Sequence, residues 1–175
     1  MKKHFHLFLF AFVIALTFTS CKKSHETNDS GTYHFNAKMD GTSKSFNTTV
    51  GAIKSNLGNG MYTLIISGIA PSEQMALALW SDKDDFTAGK TFTSDALGGA
   101  VSNTLAYVSP LGSSDPTSQW TNIYDYATEP EIFQCTITEA TSTYIKGTFS
   151  GVIYQDNSAA VASKTITEGD FYAKF

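Results

Sequence analysis

From residue 31 to Phe175 the sequence carries no sustained helical periodicity; Thr, Val, Ile, Tyr and Phe recur instead in short alternating runs between Gly, Asp, Asn and Ser. A period of two sends successive side chains to opposite faces of a strand, so the region must form sheets with most strands turned one face to a core. Tyr33, Phe35, Ala37 and Met39 alternate with His34, Asn36 and Lys38, and Asp40-Gly41 follows as a hairpin turn, with the next strand over 46–50. Met61–Ile69 is apolar on both faces, as a central strand covered on both sides should be, and 75–80 pairs with it across Pro71-Ser72-Glu73. Further runs are 86–92, 100–108, 132–138, 144–154, 161–167 and 170–175. The expectation is all-β: an antiparallel two-sheet β-sandwich or flattened barrel of about nine or ten strands.

Alternation also assigns inward faces: Phe133, Cys135 and Ile137 on one strand, Ile145, Phe149 and Ile153 on another, Phe171, Ala173 and Phe175 on a third. Gly147 and Gly151 fall on the inward phase of the 144–154 run, where the bends of a closing sheet are expected. His34 lies on an outward phase beside Asn36 and Lys38.

The amino terminus has a different plan. Met1-Lys2-Lys3-His4 precedes an unbroken apolar run from Leu7 to Leu16, then Thr17-Phe18-Thr19-Ser20 and Cys21. Ten apolar residues span about 15 Å as a helix, half of a ~30 Å hydrocarbon core, so the run reads as a cleaved export signal and not a membrane span. Thr19-Ser20-Cys21 resembles the lipobox of bacterial lipoproteins, in the relaxed form common among Bacteroidetes. The resemblance implies diacylglycerol transfer to the Cys21 thiol, cleavage before it and acylation of the new amino terminus. Two or more acyl chains anchor a protein stably where one does not. Residues 1–20 are then a lipoprotein signal peptide, 21–31 a polar flexible tether and 32–175 a single β domain. Lys22, where inner-membrane retention would favour Asp, points to the outer membrane. With Cys21 acylated, Cys135 has no disulfide partner, and its place between Phe133 and Ile137 reads as a buried, unreactive thiol.

Composition narrows the partners. All twelve basic residues are Lys, so no guanidinium is present to clamp phosphate or read guanine. Removing Lys2 and Lys3 with the leader leaves ten Lys against sixteen Asp and Glu, a net charge of −6. Nucleic acid is excluded as a partner, and the membrane is expected to be reached through the lipid anchor alone.

Near the carboxyl end, Ile137-Thr138, Ile145-Lys146-Gly147-Thr148-Phe149-Ser150-Gly151 and Ile166-Thr167-Glu168-Gly169-Asp170-Phe171 resemble the I-T, x-G-T-F and I-T-x-G-x-F signature of a family of exported Bacteroidetes lipoproteins. The Asp40-Gly41 hairpin after Phe35 is similar to that family's amino-terminal pattern. The resemblance implies a β-rich exported domain and brings no assigned activity.

Catalytic sets are hard to assemble. Beyond the leader the His residues are His25, in the tether, and His34, so a Ser-His-acid constellation has no base in an inward position. Asp82, Asp84 and Asp85 are the carboxylates that would suit Ca²⁺, but Phe86 and Thr87 stand where a calcium loop needs an oxygen ligand and Gly, so a solvated turn is expected and no metal or other cofactor. Glu129 and Glu131 flank Pro130 as one carboxylate pair among many. The stretch 109–130, with Pro110, Pro116 and Pro130, is the most irregular, and its Trp120, Tyr124 and Tyr126, with Gln119 and Asn122 between, are types that stack on sugar rings and bond their hydroxyls. The expected function is therefore a non-catalytic binding or accessory domain for an extracellular or periplasmic ligand, a glycan or an envelope protein. A lipocalin-like carrier of a small apolar ligand is the alternative, with Gly147 and Gly151 lining a cavity, and a hydrolase the third reading.

Overall fold

Asp40-Gly41 forms the turn its sequence calls for: both residues take positive φ, 50° and 77°, and close a two-residue hairpin between β1 (His34–Met39) and β2 (Thr42–Ser45). Asp40 is fixed further by Thr165, whose amide donates to Asp40 Oδ1 at 2.8 Å. Asn59 and Gly60, also at positive φ, turn β3 (Thr49–Gly58) into β4 (Met61–Ile69). This computed structural model describes residues 32–96, 101–122, 132–155 and 162–175. The strands among the described residues all lie within 33–175. The remaining strands are β5 (Gln74–Ser81), β6 (Thr91–Thr93), β7 (Asp95–Ala96), β8 (Val101–Ser102), β9 (Thr104–Val108), β10 (Gln119–Thr121), β11 (Phe133–Ala140), β12 (Tyr144–Gln155) and β13 (Ser163–Lys174).

The order across the large sheet is β2-β1-β13-β3-β4-β5-β9-β10-β12-β11-β6, and β12 also pairs with β13. That last pairing closes the sheet on itself, giving a flattened barrel in which the long β12–β13 hairpin belongs to both halves. Closure happens at opposite ends of the hairpin. β3 joins β13 through Gly51 and Lys174, where Lys174 lies opposite Tyr144; β10 joins β12 through Trp120 with Gln155 and Thr121 with Tyr154, where Tyr154 lies opposite Ser163. A small separate sheet pairs β7 with β8.

The core between the halves is aromatic. The Phe35 ring lies 5.0 Å from that of Phe149, 6.2 Å from Phe46 and 6.4 Å from Phe171, distances at which offset and tilted rings attract. The inward faces read from alternation are buried: Phe133, Cys135, Ile137, Ile145, Phe149, Ile153, Phe171 and Ala173. Phe175 is not; β13 ends one residue earlier, and Phe175 is 38% exposed. The glycine and phenylalanine of the x-G-T-F and G-x-F segments interlock. Gly147 pairs with Phe171 and Phe149 with Gly169 across the β12–β13 ladder. A Cβ on Gly147 would lie 2.4 Å from Phe171 Cζ, and one on Gly169 would lie 2.7 Å from Phe149 Cδ2. Each ring therefore covers the other strand's glycine, so the motif resembling the lipoprotein signature is a packing device.

Several element boundaries depart from expectation. Thirteen strands form among the described residues. Residues 86–92 do not form one strand: only Thr91–Thr93 does, because Phe86 and Phe92 are drawn together as a stacked pair with centroids 5.6 Å apart. The 161–167 and 170–175 runs are one strand, β13, bent at a bulge instead of broken at Gly169. β10 lies inside the stretch expected to be irregular; at three residues it is too short to show alternation.

Candidate functional site

Alternation on β12 that sends Ile145, Phe149 and Ile153 inward sends Lys146, Thr148 and Ser150 to the outer face. β11 places Gln134 and Thr136 beside them, opposite Ser150 and Thr148, and β13 places Asp170 opposite Thr148. β13 carries Thr167 and Glu168 where β12 has Ser150 alone, and Glu168 sits at φ 48° as the bulge residue. The result is a groove of about 390 Å³ lined by Gln134, Thr136, Thr148, Phe149, Ser150, Glu168, Gly169 and Asp170.

The two carboxylates of the groove have partners at its rim. Asp170 Oδ2 is 2.6 Å from His34 Nε2, and Glu168 Oε2 is 2.7 Å from Lys38 Nζ. Beyond His34 the face becomes aromatic. Tyr172 is buried between Tyr33 and Tyr144, with ring centroids 4.8 and 5.2 Å away, and Lys146 Nζ stands over both the Tyr172 and Tyr144 rings at 4.7 and 5.0 Å. Lys146 bonds Glu139 at 2.8 Å and Tyr144 donates its hydroxyl to the same carboxylate; the Lys146 bond, then the Tyr144 bond, hold Glu139 below the ordinary carboxylate range. The arrangement is a rigid aromatic wall beside a groove rich in hydroxyl, amide and carboxylate oxygens. It positions polar groups for hydrogen bonding.

Of the residues expected to bind, Gln119, Trp120 and Asn122 are among the described residues and lie away from the groove. Trp120 is in β10, half-buried against the core, with Lys164 Nζ 4.3 Å from its ring centroid. Gln119, in the same strand, pairs with Val108 of β9. Asn122 is corrected from ligand contact to corner post: it is fully buried, its Oδ1 accepts from the Leu105 amide at 2.6 Å and its Nδ2 donates to the Asn103 carbonyl at 2.9 Å, leaving no polar atom for a ligand. Tyr124, Tyr126, Glu129, Glu131 and Cys21 lie outside the described residues.

The aspartates after β5 do not converge. Asp84 pairs with Lys54 at 3.0 Å, while Asp85 takes Lys90 at 2.5 Å and the Ser81 hydroxyl at 2.7 Å; the Lys90 bond is the main reason its carboxyl lies below its usual range. Among the described residues no three His, Cys, Asp or Glu side chains are grouped to hold a metal. Glu73 is a structural tie, accepting from Lys44 at 2.9 Å and from Tyr107; burial pushes it up, but those two hydrogen bonds and the Lys44 charge outweigh burial and lower it. Burial, then the bond to Glu73, push Tyr107 to about 12.

Cys135 is fully buried and burial pushes its thiol to about 12. At pH 8 it should alkylate with iodoacetamide roughly 100-fold more slowly, or more, in the folded protein than in denaturant, since the thiolate is the nucleophile. Peptide mass spectrometry gives both rates, and comparable rates would mean that the β11 face opens readily.

The tyrosine wall and the groove escaped the sequence reading because their residues are far apart along the chain: Tyr33, Tyr144 and Tyr172 meet only through the β1–β13–β12 register. The paired Gly-x-Phe segments were the available signal, since matching each glycine to the opposite phenylalanine places Tyr172 against Lys146. Compared with known protein families, curated proteins and solved structures, the chain matches none.

Proposed function

We propose that this chain is a non-catalytic binding domain, lipid-anchored through Cys21 in the cell envelope, whose β11–β12–β13 outer face takes an uncharged carbohydrate. The observation that carries the reading is the groove itself: oxygen and amide side chains from three strands line one concavity, and its two carboxylates are each paired with a cationic or ionisable partner. An anionic ligand would meet both carboxylates, and a cationic one would compete with Lys38 and His34 for them. Sugar hydroxyls, which both donate and accept, match Gln134, Thr136, Thr148 and Ser150 without doing so. A volume near 390 Å³ is within the range of small-ligand sites. The groove replaces the 109–130 stretch as the favoured surface, because Gln119–Thr121 of that stretch pair with β9 and β12 and Asn122 is buried.

The carrier alternative rested on Gly147 and Gly151 as cavity lining. Gly147 and Gly151 are not cavity lining: Phe171 fills the space above one, and the Ile132 carbonyl lies 2.8 Å from where a Cβ of the other would be. The binding reading is tested by affinity electrophoresis of the protein through gels containing glucan, mannan or xylan. Retardation by one of them is expected, and the paired change Gln134→Ala with Thr148→Ala should weaken it roughly tenfold, two lost hydrogen bonds of about 0.5–1.5 kcal/mol each, with the melting temperature unchanged. Trp120→Ala should leave retardation as it was. The opposite pattern would move the site to β10.

A further inference from the structure

β3 and β13 run parallel and meet where Gly51 lies opposite Lys174. There β13 stops, while β3 continues from Ala52 to Gly58 and turns at Asn59-Gly60, so the β3–β4 hairpin stands beyond the end of β13. β1 is antiparallel to β13, with His34 opposite Tyr172; followed backward from His34, the chain therefore leaves the barrel toward that same end. Of the five large hydrophobic residues exposed among the described residues, three are here: Ile53, 43% exposed, Leu57, 50% exposed, and Phe175, which follows Lys174. Leu57 is the extra residue of a bulge. Asn56 lies opposite Tyr62 and Gly58 opposite Met61, and Asn56 Oδ1 fixes the bulge by accepting from the Gly58 amide at 2.8 Å. Leu111 and Ile132, the other two, are tied to Ser72 and Val152 toward the opposite end.

We propose that this end of the barrel rests on the lipid bilayer, with Ile53, Leu57 and Phe175 dipping into the boundary between headgroups and acyl chains. The inference rests on the reading of Cys21 as the acylated residue. Cys21 to Gly31 is eleven residues, which reach at most about 40 Å when fully extended. That reach starts from the end of the barrel that carries the three apolar side chains, so the anchor brings this end to the membrane. A clustered apolar patch calls for a partner, and the patch itself selects lipid over another strand. Adding a strand to β3 would need a regular ladder, which the bulge at Leu57 and the lysine at position 54 both discourage. A bilayer asks for no register. Lys54 does not oppose it either: its stem lets the ammonium stay among the headgroups, where it is already 3.0 Å from Asp84. Each apolar side chain withdrawn from water adds to the hold of the acyl chains. The Asp40-Gly41 hairpin, at the other end of β1, then points away from the membrane.

The test uses the full chain, expressed with its leader, purified from the membrane and placed in vesicles of phosphatidylethanolamine and phosphatidylglycerol. An environment-sensitive fluorophore is attached at Leu57→Cys, Ile53→Cys or Ser43→Cys; Cys135 is buried, so the label goes to the new thiol. Nitroxide-bearing lipid should quench the labels at positions 57 and 53 several-fold more than the label at 43, which sits beside the Asp40-Gly41 turn. Adding Ile53→Ser and Phe175→Ser to Leu57→Cys should reduce that quenching with the melting temperature unchanged, since both side chains are partly exposed. Equal quenching at 57 and 43, in protein whose intact mass includes the acyl chains, would overturn the proposal and leave the anchor standing. An intact mass without acyl chains would overturn both.

Discussion

Gly147→Ala is expected to lower the stability of the domain by about 3 kcal/mol, at the upper end of what overpacking a core usually costs. The new methyl group would stand 2.4 Å from Phe171 Cζ and 2.5 Å from the Thr136 carbonyl oxygen. The ring can tilt; the carbonyl, held in the β11–β12 ladder, can move only by straining that ladder. For a domain of this size the loss corresponds to a fall in melting temperature of roughly 6–12 °C. Phe171→Ala alone should cost about 3–5 kcal/mol, because it empties a fully buried aromatic site that Phe35 and Phe149 border. The two changes should not add. With the ring gone the Gly147 methyl has room on one side, so the double variant should be more stable than the sum of the single losses by about 1 kcal/mol or more. Thermal melts of the four proteins measure the coupling, and strict additivity would mean that ring and glycine do not share the space assigned to them.

Asn122→Ala should be comparably severe. Removing the side-chain amide leaves the buried Leu105 N–H and the Asn103 carbonyl without the partners that Asn122 supplies, at about 1–3 kcal/mol each. Asn122→Asp separates the two halves of that role. Its carboxylate still accepts from Leu105, but it cannot donate to Asn103 and is charged in a site with no exposure. Burial raises the folded-state pKa of such a carboxyl above its unfolded value of about 3.9, so the folded protein binds the extra proton as the pH falls. Asn122→Asp should therefore be strongly destabilised at pH 7 and regain stability, relative to the parent chain, between pH 7 and about pH 4. Denaturant melts across that range test it; a deficit independent of pH would show that Asn122 is hydrated in the native state.

Sheet class and inward faces were legible because burial on one face of a strand imposes a period of two, which Phe133-Cys135-Ile137 and Ile145-Phe149-Ile153 keep without interruption. Closure into a flattened barrel was legible only as one of two options. It depends on β10, three residues whose pairing with β9 and β12 is decided by distant strands and not by local pattern. The same non-locality hid the groove. Thr148, Ser150 and Gln134 are ordinary outward residues on their own strands and acquire a role only through register, while the bulge that shapes their surroundings depends on Glu168 adopting a positive φ that its residue type does not announce. Trp120 and Asn122 misled for the opposite reason: an aromatic ring and an amide in a proline-bearing stretch have the same composition whether they meet a ligand or brace a corner.

The most direct test of the binding face is a titration of isotope-labelled protein with cellohexaose, mannohexaose and xylohexaose, followed by backbone amide shifts. The account predicts that at least one of these neutral oligosaccharides moves the amides of Gln134–Thr136, Thr148–Ser150 and Glu168–Asp170 together, with saturation. Shifts confined to Gln119–Asn122, or no saturable shift with any of the three, would contradict it.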